Sequence, residues 1–279
     1  MDPDHTLAEF VTAVSRPDAD IPLARAALLI AAAEQPGLEV DKQLARLDDL
    51  AEASDPDRHG PDELRRLHRL REFLFEEQGF AGDRTDYFDP RNSYLNHVLD
   101  RRLGIPITLS LVLIEAGRRL GLQMEGVGLP GHFIAGARVG GDHVLLDPFN
   151  RGELLTREGC AEVVRRALGR PVRLQAEHFA PVNNRQFLIR MLANLKGDLL
   201  AAGGVGAGGA GDRPHPGPAP AGGRRAARPR DRVGEPGAAR ARDRGLGALP
   251  DRVPRRGRPR AGARPAPPGA AEAGPAQLT

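Results

Sequence analysis

The residues of this chain that could do chemistry lie between Pro90 and Asn150. His132 follows a Pro-Gly turn at the start of one expected strand, and Asp147 closes another. An imidazole with a carboxylate on one ring nitrogen can take a proton from a thiol or hydroxyl through the other. The helix before these strands has only Thr108 and Ser110 as early polar groups, so either hydroxyl is a candidate oxygen nucleophile for His132. A hydroxyl is a weaker nucleophile than a thiolate at neutral pH and needs stronger help from the base. Each also has a structural role open to it. Thr108 can cap its helix, and Ser110 can bond a carbonyl one turn back. His132 and Asp147 can likewise be a structural pair that holds a strand junction. Asn92 and Asn96, four residues apart, are candidate binding residues. Their amides can brace a loop or donate to an oxyanion-like group.

The remaining candidates are weaker. Cys160 is the single cysteine, which excludes an intrachain disulfide and a multi-cysteine metal centre. It follows both His132 and Asp147 and reads as a buried, inert thiol. His59 and His68 lie among charges and read as solvated surface. His97 sits beside Asn96 on a helix, and His143 beside Asp142 on a hairpin strand. A metal held by His132, His143 and Asp147 lacks the spacing of a metal motif, so neither metal nor cofactor is expected.

Helices must position these groups first. Apolar periodicity predicts helices over 5–14, 22–35, 40–53 and 61–78, then 94–102 with Asn92-Ser93 as cap and Gly104 as stop. The next, from Pro106 to Leu120, is apolar nearly all round until Glu115 and should be buried. After Gly121 the period becomes two. QMEGVGL, HFIAGARV and HVLLDPF read as strands, with Gly140-Gly141-Asp142 as a hairpin turn. Helices follow over 156–168 and from about Asn183. The fold class is α+β, with a small antiparallel sheet backed by the Pro106–Leu120 helix. The division is a helical N-terminal subdomain over 1–85, a core over 86–180, a further helix over 181–201 and a tail over 202–279.

Charge splits the same way. Formal charge is −6 over 1–201 and +9 over 202–279, which sums to +3 for the 279 residues. The part that can fold is mildly acidic, which argues against nucleic acid as its partner. The N-terminus lacks a signal-peptide pattern, and no apolar run reaches the ~20 residues of a membrane span. A single cysteine fits a reducing compartment, and the expectation is a cytoplasmic protein.

Five stretches carry a resemblance: PRNSYLN (90–96), RLGIPITLSL (102–111), RRLGL (118–122), GVGLPGHF (126–133) and LDPFNRG (146–152). Residues from about 60 to 200 resemble the SirB-type, transglutaminase-like family of bacterial proteins. The resemblance implies a papain-like core, usually followed by tetratricopeptide helices. It also implies a nucleophilic Cys at the start of the buried helix, a His matched by His132 and an Asp matched by Asp147. The Cys position falls around Pro106 to Thr108, where no cysteine stands. The favoured reading is a non-catalytic binding or regulatory protein whose old cleft takes a protein or peptide. The alternative is an acyl-transfer or amide-hydrolysing enzyme using Thr108 or Ser110 with His132 and Asp147.

From Ala202 onward, 63 of 78 residues are Gly, Ala, Pro or Arg. Such a segment cannot bury enough apolar surface to offset its ordering entropy and is expected to be disordered. The four residue types have G- and C-based codons, so a GC-rich gene read out of frame gives this text. A frameshift between about 201 and 213 is expected. It would truncate a tetratricopeptide-like hairpin after its first helix. A genuine arginine-rich arm that binds nucleic acid is the other reading, though no aromatic residue is there to stack on bases.

Overall fold

A computed structural model describes residues 3–54 and 62–202. His59 and the readings made of the tail from Gly203 onward lie outside the described residues. The N-terminal part is helical: α1 (Pro3–Val14), α2 (Leu23–Glu34), α3 (Val40–Ser54) and α4 (Glu63–Glu72). The helix expected to run on to Gln78 changes pitch instead. Phe73–Glu77 is a π-turn that buries Phe73, Leu74 and Phe75. Ala81–Gly82 (β1) then pairs in parallel with Leu103–Gly104 (β2), on either side of a 3-10 turn at Pro90–Asn92 and helix α5 (Leu95–Arg101).

The ends of α5 differ from expectation. Asn92 does not cap α5, because its Oδ1, the capping acceptor, is taken by Arg101 Nη1, while its amide nitrogen donates to the carbonyls of Asp86 and Tyr87. Tyr94 occupies the cap position without a side-chain bond. Nor does Gly104 end the helix. Arg102 takes the left-handed conformation at φ 58°, and Gly104 lies in β2.

Helix α6 (Pro106–Arg119) is the central element. Pro106 suits its first turn, where no N–H is needed, and its residues are buried from Pro106 to Gly117. It packs on a five-stranded antiparallel sheet of order β6-β5-β4-β3-β7. The strands are β3 (Gln123–Val127), β4 (Ile134–Val139), β5 (Asp142–Asp147), β6 (Glu153–Leu155) and β7 (Pro181–Val182). The two edge strands were not expected from sequence. The period of two sends Met124, Ala135, Ala137 and Leu146 toward α6 and the N-terminal helices. Val127, Ile134 and Leu145 face the other way, onto α7 (Arg157–Leu168) and Phe179. Helix α8 (Asn184–Ala202) returns to the α6 side and buries Phe187, Leu188 and Met191 in the same apolar cluster as α2 and α3. Among the described residues, no helix is long and apolar enough to cross a membrane.

Candidate functional site

The hairpin topology brings His132 and Asp147 together. Ala135 pairs with Leu146 across β4 and β5, so the residue ending β5 lies opposite the approach to β4. His132 stands two residues before β4, on the turn at Pro130-Gly131. Gly131 has φ 68°, and a Cβ there would lie 2.6 Å from Leu168. Both facts favour glycine at that turn. The His132 Nε2 and Asp147 Oδ2 atoms are 3.0 Å apart. The ring is 7% exposed and the carboxylate 0%.

Asp147 also organises the chain after it. Its Oδ1 accepts the backbone N–H groups of Phe149 (3.1 Å) and Asn150 (3.3 Å), capping the 3-10 turn at Pro148–Asn150. Its Oδ2 accepts Asn150 Nδ2 at 2.6 Å. Burial alone would raise its pKa. The charge of His132 and the hydrogen bonds from His132 and Asn150 outweigh burial and hold it below the usual carboxylate range. An ionised acceptor on Nε2 fixes the neutral imidazole as the Nε2–H tautomer, so Nδ1 carries the lone pair.

His132 opens onto a cleft of about 40 Å³. Arg84, Tyr87, Phe149 and Asn150 form one side, and Arg166 of α7 and Pro106 of α6 also line it. Gly82 permits the Phe149 ring to close in, since a Cβ there would lie 2.4 Å from it. The Phe149 ring meets His132 edge-on at 6.2 Å. Arg84 lies over Phe149 at 5.1 Å and donates to Asn150 Oδ1. Among the described residues, no Cys, Ser or Thr lines the cleft.

The other candidates from sequence fall elsewhere. Thr108 Oγ1 donates to the Asn92 carbonyl at 2.7 Å and accepts the Ile105 N–H at 3.2 Å, fixing the start of α6. Ser110 Oγ donates to the Pro106 carbonyl at 2.8 Å. Both hydroxyls are fully buried on backbone partners. Asn92 braces the loop before α5, its Oδ1 accepting Arg101 Nη1 at 3.0 Å. Asn96 reaches Gln35 Oε1 of the α2 end at 2.7 Å. Neither amide lines the cleft. His143 lies at the far end of β5 from Asp147, 2.8 Å from Glu125 Oε1. His97 stacks edge-on with Tyr94. Cys160 is buried in the cluster on the opposite face of the sheet, where burial and the Asp147 charge push its pKa up to about 11. Among the described residues, no three His, Cys, Asp or Glu groups come together to hold a metal ion.

Sequence reasoning missed Arg84, Tyr87, Arg166 and Arg190. Arg190 supports the His132 turn from α8, its Nη2 donating to the carbonyls of Leu129 (3.0 Å) and His132 (2.6 Å). The DPFN text of 147–150 was a visible signal for Phe149 and Asn150. Nothing local marks Arg190.

Residues 38–193 match the family described as the transglutaminase-like superfamily. A UPF0162 protein of Xylella fastidiosa is 38% identical over 185 residues, covering 64% of this chain and 65% of that protein. One from Vibrio cholerae is 35% identical over 159 residues, covering 57% and 58%. Human F-box only protein 21 is 33% identical over 137 residues, 46% of this chain and 21% of that one. The match therefore spans less than two thirds of these relatives' lengths. No solved structure matches. The family match covers more than half of the chain, and on that ground the chain belongs to the transglutaminase-like superfamily.

Proposed function

We propose that this protein is a non-catalytic transglutaminase-like module, binding or regulatory, whose cleft beside His132 takes a peptide or a protein segment. One observation carries the reading. Pro106 stands at the start of the buried helix, in the cleft with His132, while the hydroxyls of Thr108 and Ser110 donate to backbone carbonyls. Acyl transfer needs a nucleophile within reach of the base, and proline offers none. The retained His132–Asp147 pair then serves to hold the turn and to present Nδ1 to a ligand.

The SirB-type assignment within the superfamily belongs to this reading. So does α8 as the first helix of a tetratricopeptide-type hairpin. The five sequence stretches support the first, and the exposed row Ile189, Leu192, Leu199 and Leu200 on α8 supports the second. A cytoplasmic location and a protein partner complete the proposal.

The test has two arms. The full-length protein, incubated with a glutamine peptide and an amine donor, should give no transamidation or deamidation above background by mass spectrometry. Turnover that disappears in His132→Ala would overturn the reading. The second arm places the missing group. Pro106→Cys puts a thiol at a helix N-terminus beside His132, which lowers a thiol pKa below the ordinary ~8.5. Its alkylation by iodoacetamide should follow an apparent pKa well below that value, and His132→Ala should move it back up. A Pro106→Cys thiol that titrates normally would show that this position does not face His132.

A further inference from the structure

The lining of the cleft is basic. Arg84, Arg166 and His132 line it, and among the described residues no carboxylate does. Asp147, directly behind His132, has both oxygens engaged by His132, Asn150 and two backbone N–H groups. Arg166 is incompletely satisfied. Its Nε is buried without a hydrogen-bond partner, and Glu162 stands 3.9 Å from it. Glu162 is already bonded by Arg165 through both oxygens, at 2.7 and 2.8 Å. Arg84 lies over the Phe149 ring at 5.1 Å and bonds Asn150, contacts that orient its fork before any ligand arrives.

A third cation lies behind the site. Arg190 bonds carbonyls beneath His132, and burial pushes its pKa down. With two arginines in the lining and, among the described residues, no lining carboxylate, the complement of the cleft is an anion. Size narrows the class. A space of about 40 Å³ exceeds the ~10–15 Å³ that a single water requires and gives room for a small polar group. A carboxylate fits this description and matches a guanidinium fork bidentately. Tyr87 and Phe149, edge-to-face at 5.9 Å, supply an apolar wall for the atoms that follow it.

Resting on the reading of the cleft as a binding site, we infer that its ligand is a peptide carboxylate, from an acidic side chain or a free C-terminus, held by Arg166 and Arg84 beside His132.

The experiment uses the full-length protein and four short peptides: acetyl-trialanine as free acid and as amide, and an amidated acetyl-Ala-Glu-Ala with its Gln twin. Binding is read from the His132 ring signals in NMR, assigned with His132→Gln, and by calorimetry. Carboxylate peptides should move the His132 signals and bind about tenfold or more tighter than their neutral twins. Arg166→Met and Arg84→Met should each remove most of that preference while melting near wild type. If Arg166→Met melts early, Arg166→Gln takes its place. Which acid binds better identifies the source, side-chain or C-terminal. Neutral peptides that move His132 as strongly as acids overturn the inference and leave the binding site standing. A preference that survives both arginine changes also overturns it. No shift at His132 with any peptide overturns both.

Discussion

Asp147 accepts hydrogen bonds from His132, from the Asn150 side chain and from the N–H groups of Phe149 and Asn150. Whatever passes through the cleft, this carboxylate holds its floor. Removing it in Asp147→Ala leaves a buried imidazole and two N–H groups without their acceptor. Losing one partner of a buried, bonded pair costs about 3–5 kcal/mol, and urea unfolding should show a loss of that order. The same bonds set a pH dependence. Its folded pKa lies below the usual 3.8 through the His132 charge and the bonds it accepts, against the opposing effect of burial. An acid with a depressed folded pKa contributes stability that is complete above its unfolded value and is lost as pH falls through the folded one. Wild-type stability should thus drop below about pH 4. Asp147→Ala should lack that part of the drop. A variant with the same acid slope as wild type would show that Asp147 is not the titrating group. The pairing was expected from the family resemblance, which matched His132 and Asp147 to a His and an Asp, and the period of two placed them only at a turn and a strand end. The engagement of Thr108 by the Asn92 carbonyl was not legible, since it depends on where a preceding loop returns.

At the scale of elements, the site is a turn clamped between a strand and a helix far away in sequence. Arg190 on α8 joins them, 58 residues from the His132 carbonyl it bonds. Local pattern reading finds helices and strands but not which distant side chain crosses between them, so Arg190 stayed hidden while α6 stood out as an unbroken apolar run. Edge strands β6 and β7 stayed hidden for a related reason. They are short, and β6 is largely exposed, so neither shows a periodic apolar signal. Arg190→Met keeps the side chain's length and apolar stem but takes the Arg190 donor from the carbonyls of Leu129 and His132, the first of which still accepts the His132 N–H at 3.2 Å. Hydrogen bonds from a charged donor contribute about 1.5–3 kcal/mol each, and relieving the desolvation of a half-buried cation offsets part of that. A net loss of about 1–2 kcal/mol is expected. The diagnostic readout is local: the His132 ring signals should broaden or shift, while amide signals of α3 stay in place. Unchanged His132 signals would show that the turn holds itself.

The whole molecule adds a constraint that neither scale contains. One apolar cluster runs from Ala13 through α2, α3 and α6 to one face of the sheet, and ends at Met191 on α8. The sequence separates a helical N-terminal subdomain from an α+β core by composition and period. Burial joins them, because the inner face of α6 touches both. The site hangs on this shared core: α6 carries Pro106 and backs the sheet whose β5 carries Asp147. Stability lost in the helical part should therefore reach the site. Leu47 on α3 is fully buried in that cluster, well away from the cleft. Leu47→Ala should cost about 3 kcal/mol through lost contacts and a residual cavity. If the two parts unfold as one unit, amide exchange in β4 and β5 should accelerate by the same factor as in α2, on the order of a hundredfold. Exchange that speeds up in α2 and α3 while the β4–β5 amides keep their protection would show that the helices open separately. The His132–Asp147 floor would then be stable without them.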